Sequence, residues 1–342
     1  MADIARAAGV SPATVDRVLN RRKGVKEGTV ARVLREAAAL GYLSEREYER
    51  LARPRPLNIV FLLPKGTNPY LQLLGRKVRA IADSKLKEDA KIRCFFIDSF
   101  NAKALASALR RHSGWADGIA FMAIDHPAVR EAVEELAAGG KQTVAVVSDL
   151  SSSSRTAYVG LDNQAAGRTA GYLMGRFSRA PGGSVALVAG SRIYRAHAER
   201  EIGFLGLLEE MYPELRVVGV REGHDDPDEN YRHALAILEQ NPDLVGIYNV
   251  GGSSYGIGKA LQQRKRVPGV IFIGHGLTPD TRALLIDGTM DVVINSDPNA
   301  ILSTALQVFQ KGRSDGPVAT PNIAPVTMDI VFRENLPYAP PT

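Results

Sequence analysis

The pattern of apolar and polar residues divides the chain into a short helical part and a long alternating part. Residues 3–8 and 12–19 each place their apolar side chains on one helical face, and residues 27–40 do so again. Ser11 directly precedes the second run and Pro12 begins it, and these residue types are favoured at an N-cap and at the first position of a helix, respectively. The pattern therefore predicts three short N-terminal helices, the first two joined by a tight turn.

A fourth helix is indicated just beyond them. Ser44 followed by Glu47 is a capping-box spacing, so a short helix is expected to run to Leu51 or Ala52.

From residue 57 onward, apolar runs alternate with amphipathic stretches. The predicted strands are 57–63, 92–97, 118–124, 143–148, 184–189, 215–220, 244–250, 269–274 and 291–295. Continuous apolar strands separated by helices indicate an α/β fold with parallel sheets covered on both faces, and ligands of such sheets bind at the carboxyl ends of the strands. Residues 151–163 carry no helical pattern, which suggests that the chain crosses there from one α/β lobe to another.

Charge is unevenly distributed along the 342 residues. Residues 1–56 hold 12 Lys and Arg against 7 Asp and Glu, so this short segment carries nearly all of the net charge of +6. A basic N-terminal segment on an almost neutral body is typical of a nucleic-acid-binding module attached to another domain. With the polar outer face of the second helix, it indicates a helix-turn-helix, whose second helix enters the major groove of DNA. An ordinary helical hairpin is the alternative for the helices taken alone.

Residues 3–20, DIARAAGVSPATVDRVLN, closely resemble the opening of the LacI/GalR family of bacterial repressors. The resemblance implies a helix-turn-helix head at 1–43, a hinge helix or linker at 44–56 and an effector-binding domain at 57–342. It further implies a two-lobed fold of the type I periplasmic-binding-protein kind. Lobe 1 would span about 57–161 and 292–320, and lobe 2 about 162–291 and 321–342, with crossings near 160–163, 291–296 and 320–324.

The resemblance also implies which residues contact operator DNA: Ser11, Pro12, Ala13, Thr14, Arg17, Asn20, Arg21, Arg22 and Leu51. Arg17 can form a bidentate contact with guanine, and Leu51 stands where the family inserts a leucine between minor-groove bases. Glu47 and Glu49 would place negative charge near phosphates, so a plain solvated linker helix remains the alternative for residues 44–52.

Candidate effector-binding residues follow several predicted strands, and the resemblance brings them to one cleft: Asn68, Tyr70, Asp149, Arg200, Asn249, His275, Ser296 and Asp297. An aromatic ring beside a few fixed polar groups suits a sugar. Arg200 is the strongest candidate because a guanidinium is a fixed fork of donors, although it could instead pair with Glu199 or Glu201.

Two departures from the family bear on the ligand. Gly276 stands where a sugar-binding carboxylate is common, and Ser296 where many members carry glutamine. Arg200 would then lack an acidic partner, so we expect a sugar acid or sugar phosphate to bind better than a neutral sugar.

Several other functions are less favoured. Gly252, Gly256 and Gly258, with Tyr255 and Lys259, imitate the motifs of short-chain dehydrogenases, but those enzymes separate the two motifs by over a hundred residues. No catalytic or metal-binding constellation is found, and no cofactor is expected. Cys94 lies in an apolar run and is expected to be a buried, inert thiol.

No apolar run approaches the 18 residues of a membrane span, and no secretory signal is recognised at the N-terminus. We therefore expect a cytoplasmic, homodimeric DNA-binding repressor that responds to a small polar effector, with no membrane partner. The solute-binding protein of a transport system is the main alternative, and a dehydrogenase is a remote one.

Overall fold

The computed structural model describes residues 1–22, 24–52, 55–83, 90–151, 154–179, 182–314 and 323–338. The chain divides into two compact units, the first formed mainly by residues 1–57 and the second by nearly all the rest. None of the helices in these ranges is long and apolar enough to cross a membrane.

The first unit, called the head below, contains four helices: α1 (Ala2–Ala8), α2 (Pro12–Leu19), α3 (Glu27–Ala39) and α4 (Glu45–Ala52). The Ser11 side chain accepts a hydrogen bond from the Thr14 backbone N–H, and Pro12 occupies the first helical position, as predicted. Ile4, Val15 and Val33 are fully buried between the first three helices. The predicted helix-turn-helix is present.

Helix α4 belongs to the head. The Ser44 hydroxyl donates to Glu47 Oε2 (2.7 Å), and the same oxygen accepts from the Ser44 backbone N–H (2.9 Å), which completes the capping box. Leu51 is only 9% exposed and joins the apolar core of the first three helices, with Tyr48 packed beside it. The linker helix is thus a fourth element of the head's hydrophobic core.

The second unit contains two sheets, and all nine predicted strands are present. The strands are β1 (Leu57–Lys65), β2 (Ala90–Asp98), β3 (Gly118–Phe121), β4 (Gln142–Val146), β5 (Ala157–Val159), β6 (Gly183–Ala189), β7 (Leu215–Glu222), β8 (Leu244–Asn249), β9 (Ile271–His275), β10 (Val292–Ser296) and β11 (Met328–Val331). The first sheet has the order β2-β1-β3-β4-β5, and the second β11-β10-β9-β8-β6-β7.

Helices separate most of the strands. They are α5 (Pro69–Asp83), α6 (Ala102–Ser113), α7 (Pro127–Ala138), α8 (Asn163–Phe177), α9 (Arg195–Met211), α10 (Pro227–Gln240), α11 (Ser254–Gln263), α12 (Pro279–Ile286) and α13 (Pro298–Ser314). The recorded strand pairings are parallel except that of β10 with β11. Parallel strands covered by helices explain the continuous apolar runs in the sequence.

One predicted lobe boundary needs correction. Residues from 292 onward were expected to return to lobe 1, but β10 pairs with β9 in the second sheet, for example Val293 with Gly274. The chain returns to the first sheet only after Ser296, since α13 packs on α5 and β4. The crossing expected at 320–324 falls mostly outside the described residues.

Leu51→Ala should lower the stability of the head by about 2 kcal/mol, because it removes a buried side chain at the edge of a small core. Amide hydrogen exchange of α1–α3 in the full chain would measure this, with Glu49→Ala, an exposed change on the same helix, as control. Equal protection in both variants would show that α4 does not contribute to the head's core.

Candidate functional site

The head exposes one side of α2. Pro12, Ala13, Arg17, Asn20 and Arg22 are all exposed, while Val15 and Val18 on the other side are buried. In the described part of the chain, no hydrogen bond or ion pair of the Arg17 guanidinium is recorded. The predicted DNA-contacting residues of α2 therefore share one accessible face.

Asp16 organises the end of this face. Its carboxylate accepts a hydrogen bond from Asn20 Nδ2 (2.7 Å) and forms an ion pair with Arg22 Nη1 (2.9 Å). The Asp16 carboxylate thus holds two predicted DNA contacts, Asn20 and Arg22. Leu51, by contrast, lies in the head core, so its expected insertion into DNA would require α4 to leave that core.

A cavity of about 50 Å³ lies between the two sheets of the second unit, several times the volume that one water molecule needs. Residues that follow strands of both sheets line it, which is where ligands of parallel sheets bind. The lining consists of Asn68, Tyr70, Leu71, Met122, Val147, Leu161, Ala196, His197, Arg200, Gly251, Gly252, His275, Gly276, Ile294 and Ser296.

Arg200 reaches this cavity from the second turn of α9 and is only 8% exposed. Nε donates to Asn163 Oδ1 (2.9 Å) and Nη1 to the Val250 carbonyl (2.9 Å). A Cβ on Gly167 of α8 would lie 2.0 Å from the Arg200 carbonyl oxygen, so only glycine lets the two helices meet here. This close approach fixes the backbone that carries the guanidinium.

The glutamates beside Arg200 are engaged elsewhere. Glu199 pairs with Arg195 (2.6 Å) and Glu201 with Arg192 (2.5 Å). The alternative interpretation of Arg200, an ion pair on its own helix, is therefore wrong.

The other polar side chains in the cavity lining are neutral, although the charge of Asp225 outside the lining also acts on Arg200 and His197. Burial lowers the pKa of His197 and, more strongly, of His275, and the Arg200 charge acts in the same direction on both. Burial also raises the pKa of Tyr70 to about 12 and that of Tyr248 further still, so both phenols stay protonated at neutral pH. Arg200 is the one charged side chain in the lining.

Hydrogen bonds between the two lobes hold the cleft closed. Asn68 Nδ2 donates to Asp225 Oδ2 (2.9 Å), and the Thr67 hydroxyl donates to the Asp225 carbonyl (2.7 Å). The Tyr70 hydroxyl lies 2.8 Å from Ser296 Oγ. The other atom of the Asn68 amide, Oδ1, accepts from the Tyr70 backbone N–H (3.0 Å). Both the nitrogen and the oxygen of the Asn68 amide are therefore hydrogen-bonded within the protein. Thr67, Asn68 and Asp225 together are called the interlobe clasp below.

Three predicted effector-binding residues do not line the cavity. Asp149 is paired with Arg155, whose Nη2 lies 2.6 Å from Oδ2. Asn249 is fully buried, and its Nδ2 donates to the Gly252 carbonyl (2.9 Å). Asp297 is exposed and caps the start of α13 through the Asn299 backbone N–H (2.9 Å). The structure brings together Asn68, Tyr70, Arg200, His275 and Ser296.

The glycine at 276 is required by its surroundings. Its φ is +77°, and a Cβ there would lie 2.9 Å from Tyr70 Cδ2. A carboxylate could not be placed at this position without displacing the tyrosine ring.

The dehydrogenase-like motif is broken up by the fold. Gly256 and Gly258 lie inside α11, and Tyr255 on the same helix is 52% exposed and outside the cavity lining. Lys259 Nζ stacks over the Tyr231 ring at 5.1 Å from its centroid. Cys94 is partly buried, which raises the pKa of its thiol to about 11 and keeps it protonated.

The chain combines a helix-turn-helix head, of the kind that binds DNA, with a two-lobed α/β domain that has a cavity between its lobes. These two parts together define a class of ligand-binding proteins with a DNA-binding head. Family comparison gives the same division. Residues 59–311 match the periplasmic binding protein domain, and residues 1–45 match the bacterial regulatory proteins of the lacI family. The chain therefore belongs to the periplasmic-binding-protein domain family over residues 59–311, and its head is a lacI-family helix-turn-helix domain.

Individual relatives agree with this assignment. Catabolite control protein A of Streptococcus mutans is 38% identical over 80 residues, which is 23% of this chain and about a quarter (24%) of that protein. A glucose-galactose binding protein from Geobacillus stearothermophilus has the same fold, with a TM-score of 0.74 at 21% identity over 83% of this chain and all of that one. A solute-binding protein from Burkholderia graminis, solved with D-arabinose, also has this fold, with a TM-score of 0.75 at 21% identity over 82% of this chain and 97% of that one.

Several residues that build the site were not predicted from the sequence. Asp225 and Asn163 act through side-chain pairs with residues 157 and 37 positions away. Met122, Val147 and Leu161 form part of the apolar wall. The weak signal for Asp225 is its position just after β7.

Acidification should destabilise this unit. Because the folded-state pKa of His197 and His275 lies below the ordinary 6.5, the unfolded chain binds protons that the folded chain does not. Each group then shifts the folding equilibrium toward the unfolded state by roughly tenfold per pH unit below 6.5. Denaturant unfolding between pH 7.5 and 5.5 would measure the slope, which should be smaller in His275→Gln. An unchanged slope in that variant would contradict the assignment to His275.

Proposed function

We propose that this protein is a DNA-binding transcriptional repressor controlled by a small polar effector, a sugar or sugar derivative. The observation that carries the proposal is the presence, in one chain, of a LacI-family head and a two-lobed domain with an arginine-lined cavity. The same features favour a cytoplasmic protein that acts on DNA as a homodimer.

DNA recognition would be performed by the exposed face of α2. In the major groove, Arg17 would donate two hydrogen bonds to guanine O6 and N7, while Ala13 and Pro12 would meet base edges without polar contacts. Ser11, Thr14, Asn20, Arg21 and Arg22 would contact phosphates and fix the register. Two heads, one from each subunit, would read two half-sites.

Effector control would act through lobe closure. The interlobe bonds from Asn68 and Tyr70 exist only when the lobes meet, so a ligand in the cavity favours the closed arrangement. Repression changes with ligand only if the open and closed dimers bind operator with different affinities. A ligand present at a hundred times its dissociation constant would stabilise the closed domain by roughly 2.7 kcal/mol.

A transport function would use the same two-lobed domain. The glucose-galactose binding protein and the solute-binding protein solved with D-arabinose share this fold at 21% identity, which supports the fold alone. The LacI-family match at residues 1–45 favours a regulator, because a transport solute-binding protein has no use for a DNA-reading head.

The proposal is tested by selecting binding sites from random DNA with the purified full chain, followed by gel shifts on the selected sequence. We expect a palindromic site with half-sites about one helical turn apart. Failure to enrich any sequence at low salt would refute DNA binding.

Arg17→Ala should weaken binding to the selected site by about 1–3 kcal/mol and relax the preference at one base pair, because a bidentate base contact is lost. Arg22→Ala, at a phosphate-contacting position, should instead weaken all sequences alike and reduce the salt slope by about 1. Gel-shift titrations of both variants on matched and mismatched sites, at several salt concentrations, distinguish these patterns. Unchanged affinity in Arg17→Ala would exclude it as a base-reading residue.

Asp16→Ser should tighten DNA binding by about 0.2–1 kcal/mol, the range of an exposed ion pair, without changing the preferred sequence. The substitution removes a negative charge near the phosphates and releases Arg22 and Asn20. Affinities for specific and nonspecific DNA should rise together. Weaker binding would instead mean that Asp16 holds these two side chains in the orientation that DNA requires.

A further inference from the structure

We propose that the effector is a small anion, a carboxylate or phosphate ester of a sugar-sized molecule, whose charged group binds Arg200. This inference deepens the proposed function and rests on it only in calling the ligand an effector.

The cavity wall is rich in donors and holds no carboxylate. Its polar side chains are those of Asn68, Tyr70, His197, Arg200, His275 and Ser296. A neutral sugar presents hydroxyl donors that need acceptors, and carboxylates are the strongest acceptors a protein offers. Here the Asn68 oxygen is already used by the start of α5, so the wall suits a ligand that brings acceptors of its own.

Arg200 forms no recorded ion pair with a carboxylate of the described residues, and the Asp225 charge acts on it without direct contact. Its recorded partners are the amide oxygen of Asn163 and the carbonyl of Val250, both neutral. These bonds use Nε and Nη1, so the donors of Nη2 remain for a ligand. A cation that is 8% exposed and pairs with no carboxylate in the described chain costs free energy, which an anionic ligand would recover.

Two candidate counterions, Asp149 and Asp225, are hydrogen-bonded to other groups. Asp149 pairs with Arg155. Asp225 accepts from Asn68 Nδ2 (2.9 Å) and from the Gly252 backbone N–H (2.7 Å), which ties it to the interlobe clasp. At position 276, the φ of +77° and the Tyr70 ring exclude a carboxylate.

A second donor lies in the same wall. The Tyr248 hydroxyl is fully buried, and its recorded partner is His275 Nε2 at 2.7 Å. Because no other acceptor is recorded for the Tyr248 hydroxyl proton in the described chain, we assign that proton to the bond with Nε2, which places the imidazole proton on Nδ1. His275 Nδ1 is buried and has no hydrogen-bond partner among the described residues. The cavity wall therefore contains an N–H donor without a recorded hydrogen-bond partner and a cation without a recorded ion-pair partner, both among the described residues.

The apolar part of the cavity lining indicates what the uncharged part of the ligand is like. Leu71, Met122, Val147, Leu161 and Ile294 form an apolar wall, with the Tyr70 ring beside them. Such a wall accommodates the C–H faces of a sugar ring. A ligand with one anionic group and a compact carbon skeleton therefore matches both the charged and the apolar parts of the cavity.

The test compares matched ligands on the full-length protein at constant ionic strength. D-glucose is compared with D-glucuronate and D-glucose 6-phosphate, D-galactose with D-galacturonate and D-galactose 6-phosphate, and inorganic phosphate is included as the minimal anion. Thermal shift followed by calorimetry should show at least one anion binding tenfold or more tightly than its neutral parent. Whether the acid or the phosphate of a set binds identifies the charged group.

Variants locate the effect. Arg200→Gln should abolish the preference for the anion, whereas Arg200→Lys, which keeps the charge, should retain it in weakened form. Arg176→Gln removes the same charge from an exposed position on the neighbouring helix α8 and should leave binding unchanged. If Arg200→Gln does not fold, the ligand comparison on the unmodified protein and Arg200→Lys still decide.

Three results would overturn the inference: neutral sugars that bind as tightly as their acids and phosphates, no anion that shifts the melting temperature, or equal anion binding in Arg200→Gln. DNA binding is measured separately by gel shift without ligand. If the protein binds anions but no DNA, the proposed regulatory function is refuted. If it binds DNA but only neutral sugars, the proposal of an anionic effector is refuted.

Discussion

The second unit is organised around one buried positive charge. The Arg200 guanidinium lies where helices from one lobe meet residues from the other, and its bonds to Asn163 and to the Val250 carbonyl fix its position. Burial, reinforced by the Arg200 charge, lowers the pKa of His275, and burial alone raises the pKa of Tyr248 against the effect of that charge. Burial therefore explains both the neutrality of the wall and the cost of a cation without a counterion.

The closed cleft depends on a second constraint, in the backbone. His224 and Asp225 both have positive φ angles, 48° and 54°, and Phe100 on the opposing lobe has 57°. The Phe100 ring lies 5.4 Å from the rings of both Tyr194 and His224. Strained residues of this kind persist only where surrounding contacts hold them. Their position at the clasp is consistent with a closed arrangement that opens when those contacts are lost.

Much of this architecture could be predicted from the sequence because its signals are local. Helical spacing gave α1–α4, and continuous apolar runs gave nine strands. The two strands that were missed, β5 and β11, have three and four residues, too few to show a period. The sheet to which β10 belongs could not be predicted, because strand pairing is decided by distant segments.

The site divides in the same way. Tyr70, Arg200, His275 and Ser296 line the cavity, in agreement with the cleft that the family resemblance implies, and their contact with an effector stays a prediction. Asp149 and Asn249 do not line it, because their partners depend on loop conformation that no periodicity reveals. The hydrogen bonds of the Asn68 amide could not be predicted from the sequence either, because one partner, Asp225, is 157 residues away.

The burial of Leu51 in the head has a consequence for how operator occupancy and folding are related. One side chain cannot fill the head's core and separate two base pairs at the same time, so the two uses exclude each other. If Leu51 inserts into operator DNA as the family resemblance implies, any change that strengthens the docking of α4 would weaken that inserted complex by the same factor. Heating that loosens α4 would then also free the leucine for DNA.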